Sequence, residues 1–269
     1  MKEFLLENNS HHWCVFQKFE PQINLNERRG TELDAQQLFK VFKLLEFEVK
    51  VYHNLSTRDM RMVLESEGKA DHSERDCFAC CILSHGDRGV IYGTDGKMMT
   101  DLVFSPFLGD ACPSLAGKPK MFFIQVWLVH PGGVQACQGD RLDPGVMVSN
   151  GDRRDSGAGS SYVSVPVHAD FLIAYSTVPG GKNDKLLCPG YYSWRNTTQG
   201  SWFIQSLAAV LESNSQDLDL LTMMTLVNHR VAHNFQSCVP GDQEMDRKKQ
   251  IPYIASMLTR RIFFLPKSG

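Results

Sequence analysis

Apolar positions along this chain switch repeatedly between a helical and a strand rhythm. Within residues 31–47, Leu38, Val41, Phe42 and Leu45 share one helical face, and Thr31 with Asp34 has the spacing of an N-terminal cap. Residues 48–52 alternate as a short strand. Residues 57–67 predict a second helix, capped by Thr57 and stopped at Gly68. Residues 77–84 form an unbroken apolar run, the pattern of a strand buried on both faces, and residues 120–125 and 169–177 read the same way. A hairpin is expected over residues 90–100, turning at Thr94-Asp95-Gly96. An early strand is expected at 13–19, helices near 201–212 and 217–235, and a last strand over 251–265.

Strands that alternate with helices predict an α/β domain whose mainly parallel sheet carries helices on both faces. Sites in such sheets lie at the carboxyl ends of strands. His85 and Cys137 each follow an expected strand, so both are candidates for that edge.

Composition narrows the function classes. At 269 residues the chain can bury a full domain core, and its formal net charge of −2 offers no attraction to nucleic acid or anionic lipid. The first residues lack the apolar run of a secretory signal. The most apolar later stretch is interrupted by Gln125, His130, Pro131, Gly132 and Gly133, which is too broken to span a bilayer. Eight scattered cysteines without a secretory signal favour reduced thiols and a cytoplasmic location. Cys77 and Cys80 have C-x-x-C spacing, but strand alternation turns them to opposite faces and no second pair follows, so neither a metal nor another cofactor is expected.

Residues 143–164 are rich in Gly, Ser and Asp and have no apolar period. They read as an exposed, flexible connection between residues 1–142 and residues 165–269.

Two strings carry chemistry: Ser84-His85-Gly86 after a buried strand, and Gln135-Ala136-Cys137-Gln138-Gly139 downstream. A thiolate is a strong nucleophile, and a nearby imidazole both raises its population and protonates the leaving amine. Alone, a cysteine after an apolar strand is more often inert core. Together the strings match the Q-A-C-[RQG]-G signature of caspases, with its histidine roughly 50 residues upstream. Arg28-Arg29-Gly30-Thr31-Glu32-Leu33-Asp34, the string Tyr191-Tyr192-Ser193-Trp194-Arg195-Asn196, and Gly200-Ser201-Trp202-Phe203-Ile204-Gln205 extend the likeness. From about residue 14 to residue 265, the chain resembles the caspase family, in its executioner type with a short prodomain.

That resemblance implies a caspase-like three-layer sandwich and a cysteine endopeptidase that cuts after aspartate in apoptosis. It implies Cys137 as nucleophile and His85 as its partner, with the Gly86 and Cys137 amides holding the oxyanion. Arg28, Gln135 and Arg195 match the pocket for the substrate's aspartate, where guanidinium forks suit one carboxylate. Tyr192 and Trp194 match the wall beside the penultimate residue, and Asn196 and Trp202 the subsite for the fourth residue back. Residues 1–142 correspond to a large subunit and residues 165–269 to a small one, with Asp155 in the linker as the processing site. Implied partners are protein substrates with exposed aspartates, a second copy paired through the last strand, and an activating initiator protease. Nucleic acid and membranes are not expected.

The chain departs from the family pattern in its first strand, which is shorter over residues 13–19 than the family's, and in two internal places. Ten residues, 126–135, stand between Gln125 and Ala136, where the family runs directly from strand to nucleophile, and ten more, 181–190, precede Tyr191. The first extra segment could lengthen the strand and displace Cys137. The competing reading is therefore a catalytically inactive homologue or decoy that binds active caspases.

Overall fold

The computed structural model describes residues 3–6, 9–15, 20–23, 25, 27–87, 89–128, 146–149, 162–177, 193–196, 198–242 and 246–264. In chain order the strands begin with β1 (Glu3–Leu6), β2 (Asn9–Val15), β3 (Phe47–His53) and β4 (Cys77–Asp87). They continue with β5 (Val90–Tyr92), β6 (Lys97–Met99), β7 (Lys120–Leu128), β8 (Val146–Ser149) and β9 (Tyr162–Val165). The last five are β10 (Phe171–Tyr175), β11 (Arg195–Asn196), β12 (Gly200–Ser201), β13 (Tyr253–Ser256) and β14 (Arg261–Phe264). The helices are α1 (Thr31–Leu44), α2 (Thr57–Gly68), the single turn α3 (Asp101–Phe104), α4 (Trp202–Asn214) and α5 (Leu220–Asn234).

The main sheet has the order β13-β10-β7-β4-β2-β3, with the β5–β6 hairpin attached to β4. All its neighbours from β10 to β3 are parallel, and β13 closes one edge antiparallel to β10. Alternation along the central strands divides the core in two. Cys77, Ala79, Cys81, Leu83, Met121 and Phe123 pack with α1, α4 and α5, whereas Phe78, Cys80, Ile82, Phe122 and Ile124 pack with α2 and the α3 region. Helices thus cover both faces, as expected for a parallel sheet. Cys77 and Cys80 do point to opposite faces.

Several elements differ from their expected bounds for visible reasons. The early strand runs over Asn9–Val15 because it inserts between β3 and β4 in one continuous register. The expected last strand is two: β13 stays on the main sheet, while β14 leaves it to pair with β1 in a parallel ribbon. Thr31 does not cap α1; Gly30 does so through its left-handed backbone, with no side-chain bond. Ser56, rather than Thr57, caps α2 by accepting the Asp59 amide at 3.0 Å. The two ends of the connecting segment pair as β8 and β9, from Val146 opposite Val165 to Ser149 opposite Tyr162. Residues 150–161, which include Asp155, lie outside the described residues.

Lys120 opens β7 from a buried position, donating to the carbonyls of Leu115 at 3.1 Å and Lys118 at 2.8 Å beside the Phe171 ring. Burial pulls its pKa down to about 8, with Asp170 pulling the other way. The unfolded chain therefore binds more protons than the folded one between about pH 8 and 10.5, so this lysine makes stability rise with pH in that window. Urea unfolding should show the unfolding free energy of wild type minus that of Lys120→Met becoming more positive as pH rises from 8 to 10. A flat or falling difference would contradict this.

Candidate active site

The site is assembled at the carboxyl ends of β4 and β7. Ser84, His85 and Gly86 lie near the end of β4, all buried. Ser84 Oγ donates to the Tyr92 carbonyl at 2.6 Å, fastening the β5 hairpin below the histidine. His85 is only 7% exposed, so the edge that holds it is largely enclosed.

Arg28 reaches this edge from the segment before α1. It is fully buried, and its Nη1 donates to the Ser84 carbonyl, the residue next to His85. Asp34, three residues into α1, turns away from the helix start. Its Oδ1 accepts the Ser201 amide at 2.7 Å, across a separation of 167 residues. Ser201 is the Cα partner of Arg195 in the short β11–β12 ladder. One carboxylate thus hooks the strand pair that carries Arg195 onto the helix that follows Arg28. Gly200 makes the approach possible: its φ is +93°, and a Cβ there would lie 2.4 Å from Asp34 Oδ1.

The charges within this cluster oppose burial. Desolvation and the neighbouring Arg195 pull the Arg28 guanidinium below its ordinary range, and Asp34 offsets them. Burial likewise lowers the Arg195 pKa, again opposed by Asp34. For Asp34, burial pushes the carboxyl up to about 6 against the pull of Ser201, Arg28 and Arg195. At neutral pH the cluster holds two positive charges and one negative one, a surplus suited to one incoming carboxylate.

Polar bonds fix the neighbouring wall. Gln125 of β7 donates from Nε2 to Ser193 Oγ at 2.7 Å, with both residues buried. Gln250 accepts the Trp194 amide at 2.6 Å and donates to the Ser176 carbonyl at 2.7 Å. Trp194 stacks on Trp202 at 5.7 Å between ring centroids, and Trp202 stacks on Phe235 at 5.4 Å. Trp202 is therefore largely buried, stacked with both neighbours. Asn196 is exposed and accepts the amide and hydroxyl of Thr198 at 2.8 and 2.7 Å.

Of the residues singled out from sequence, His85, Gly86, Arg28, Arg195 and Trp194 are brought to one region by these contacts, with Trp202 behind it. Cys137, Gln135 and Tyr192 lie outside the described residues, as do Asp155 and residues 181–190. The strand was expected to end at Gln125 unless the extra segment lengthened it. It continues to Leu128, pairing Val126 with Ser84, Trp127 with His85 and Leu128 with Gly86. The second residue after Gln125, Trp127, is therefore the backbone partner of His85. Gly86 accommodates the extension, because a Cβ there would meet the Val126 Cβ at 2.8 Å.

Sequence reasoning missed two residues. Gln125 is held by Ser193, in the segment bearing Trp194 and Arg195; only its place at the end of an apolar strand hinted at this. Asp34 looked like a local cap and instead reaches Ser201. Among the described residues no group of three or more His, Cys, Asp or Glu could hold a metal, and no helix is long and apolar enough to cross a membrane.

Comparison with known proteins agrees with this architecture. Residues 14–263 match the caspase domain family. The chain is 47% identical to caspase drICE of Drosophila melanogaster over 243 residues, covering 90% of this chain and 66% of drICE. It is 43% identical to caspase-7 of Gallus gallus over 249 residues, covering 91% of this chain and 74% of that protein. The crystal structure of caspase-1 from Spodoptera frugiperda superposes with a TM-score of 0.79 at 38% identity, covering 99% of this chain and 94% of that one. With fold, sequence and edge geometry in agreement, the chain belongs to the caspase family of cysteine endopeptidases with aspartate specificity that act in apoptosis, and it is similar to the executioner type.

Proposed function

We propose that this chain cleaves protein substrates after aspartate through a Cys137 thioacyl-enzyme. His85 raises the thiolate population of Cys137, then protonates the departing amine. Water, deprotonated by His85, then attacks the thioester carbon and the C–S bond breaks, releasing the aspartate-ended acid and the Cys137 thiolate; the Gly86 and Cys137 amides stabilise the oxyanion in both steps. Arg28 and Arg195 receive the substrate aspartate, with Gln135 or Gln125 as the neutral donor beside them. Tyr192 and Trp194 line the penultimate subsite, and Asn196 and Trp202 the fourth.

The observation that carries this reading is the bond from buried Arg28 to the Ser84 carbonyl. It sets a carboxylate-binding guanidinium one residue from the candidate general base, so specificity and chemistry share one strand end. An inactive homologue is not favoured, since the likeness to caspases spans nine tenths of the chain.

The wider assignments follow from family membership. Residues 1–142 would form the large-subunit part and residues 165–269 the small one, with cutting after Asp155 in the 143–164 linker by an initiator protease. The edge strand β13, which carries exposed Tyr253 and is flanked by exposed Ile251 and Met257, is the surface we assign to a homodimer. The proposed location is the cytoplasm.

The direct test is a fluorogenic acidic tetrapeptide ending in aspartate, compared with its asparagine-ended twin, using intact chain and chain cut at Asp155. Hydrolysis of the aspartate peptide alone is expected. Equal cleavage of both peptides, or activity that survives Cys137→Ala, would overturn the reading.

A further inference from the structure

Arg28 is buried and Arg195 half-buried, and two neighbouring guanidiniums repel. Among the groups facing Arg28 and Arg195, Asp34 supplies the opposing charge. Its Oδ1 is fixed by the Ser201 amide at 2.7 Å, while Oδ2 is buried and makes no hydrogen bond among the described residues. Arg28 is satisfied only at Nη1; its Nε and Nη2 are buried without a hydrogen-bond partner among the described residues. A buried carboxylate oxygen and two buried guanidinium nitrogens are thus left uncommitted in one cluster. That is costly for a finished structure and useful for one awaiting an anion.

The same carboxylate is a mechanical tie. It joins α1, which follows Arg28, to β12, whose Ser201 pairs with Arg195 and caps α4 by accepting the Ile204 amide at 3.4 Å. We propose that Asp34 is a positioning residue of the aspartate pocket: it anchors the β11–β12 turn and supplies the buried negative charge that keeps Arg28 and Arg195 together until a substrate carboxylate arrives. The inference rests on the pocket assignment above and deepens it. It also assigns Gly200 a function, since any side chain there would push Asp34 off the Ser201 amide.

Asp34→Asn is the informative variant, being isosteric and able to retain the acceptor for Ser201 while losing the charge. Two readouts separate the claims. The first is the rate of arginine modification by phenylglyoxal, followed site by site by peptide mass spectrometry, with exposed Arg29 as internal control. Asp34→Asn is expected to modify Arg28 and Arg195 at least about fivefold faster than wild type, with Arg29 unchanged. The second is binding of the acidic tetrapeptide as its free acid, ending in aspartate or asparagine, which needs no turnover. Preference for the aspartate end is expected to fall about tenfold in Asp34→Asn; with the fluorogenic form of the peptide, turned over, the rise in KM should exceed any fall in kcat.

Asp34→Glu keeps the charge and should fall between wild type and Asp34→Asn; it also carries the test should the asparagine variant melt below the assay temperature. Unchanged arginine rates and peptide preference in Asp34→Asn, or a glutamate variant no better than asparagine, would overturn the positioning role. A wild-type chain with no preference for the aspartate end would overturn the pocket assignment, and the role built on it falls too. The arginine rates, read without peptide, distinguish the two failures.

Discussion

Excising residues 126–135 is expected to raise kcat/KM for an aspartate-ended tetrapeptide by about 10²-fold. The reason lies in the register of β7 on β4. The extension places Val126, Trp127 and Leu128 opposite Ser84, His85 and Gly86, so the strand end beside the histidine is occupied by backbone that is not the nucleophile's. Excision joins Gln125 to Ala136. The ladder would then set Ala136 in the place of Val126 and Cys137 in that of Trp127, directly across from His85. Gly86 would still fit, because alanine is smaller than the valine it meets now. Misplacement of a reacting atom by about 1 Å can cost about 10²-fold, and ten inserted residues give ample room for it. The check compares intact and excised chains at equal concentration, each with its Cys137→Ala form as blank. Equal rates would mean that the intact chain already delivers Cys137 to the histidine by another path.

The second large effect concerns the catalytic pair. His85→Ala is expected to lower kcat/KM by about 10⁴-fold, Cys137→Ala by at least as much, and the double variant little further. Residues that act as one unit lose most of their benefit when either is removed, so the non-additivity separates a catalytic pair from two structural residues. Because His85 is buried, its replacement also removes packing, so folding is followed alongside activity. The measurement is kcat and KM for all three variants with melting curves alongside. A His85→Ala enzyme within tenfold of wild type would remove the histidine from the mechanism.

The two arginines proposed for the pocket differ in how much the structure adds to their motifs. Arg28 and Arg195 stand out because they belong to extended strings, and the structure does bury Arg28 beside Ser84 and His85. Trp202 is a mixed case: the string puts it near substrate, yet it is buried and stacks with both Trp194 and Phe235. Composition could not separate these outcomes, since an aromatic residue is equally at home in a core and a groove.

The sequence by itself determined the layers and the faces. Unbroken apolar runs at 77–84 and 120–125 require strands covered on both sides, and period-2 alternation sends Cys77 and Cys80 to different cores. It also singled out, through extended strings, the residues to which the proposed chemistry is assigned. What only the tertiary structure decided is which distant groups meet and where strands stop. An aspartate near a helix start offers the same acceptor to a local amide or to one 167 residues away; Gly30 already shapes the α1 start through its backbone, and Ser201 is what folding brings within reach. The end of β7 is likewise set by its neighbour, because β4 continues to Asp87 and its backbone groups pair whatever residues follow Gln125. Local pattern encodes burial and period, whereas partner choice depends on the three-dimensional neighbourhood that burial creates.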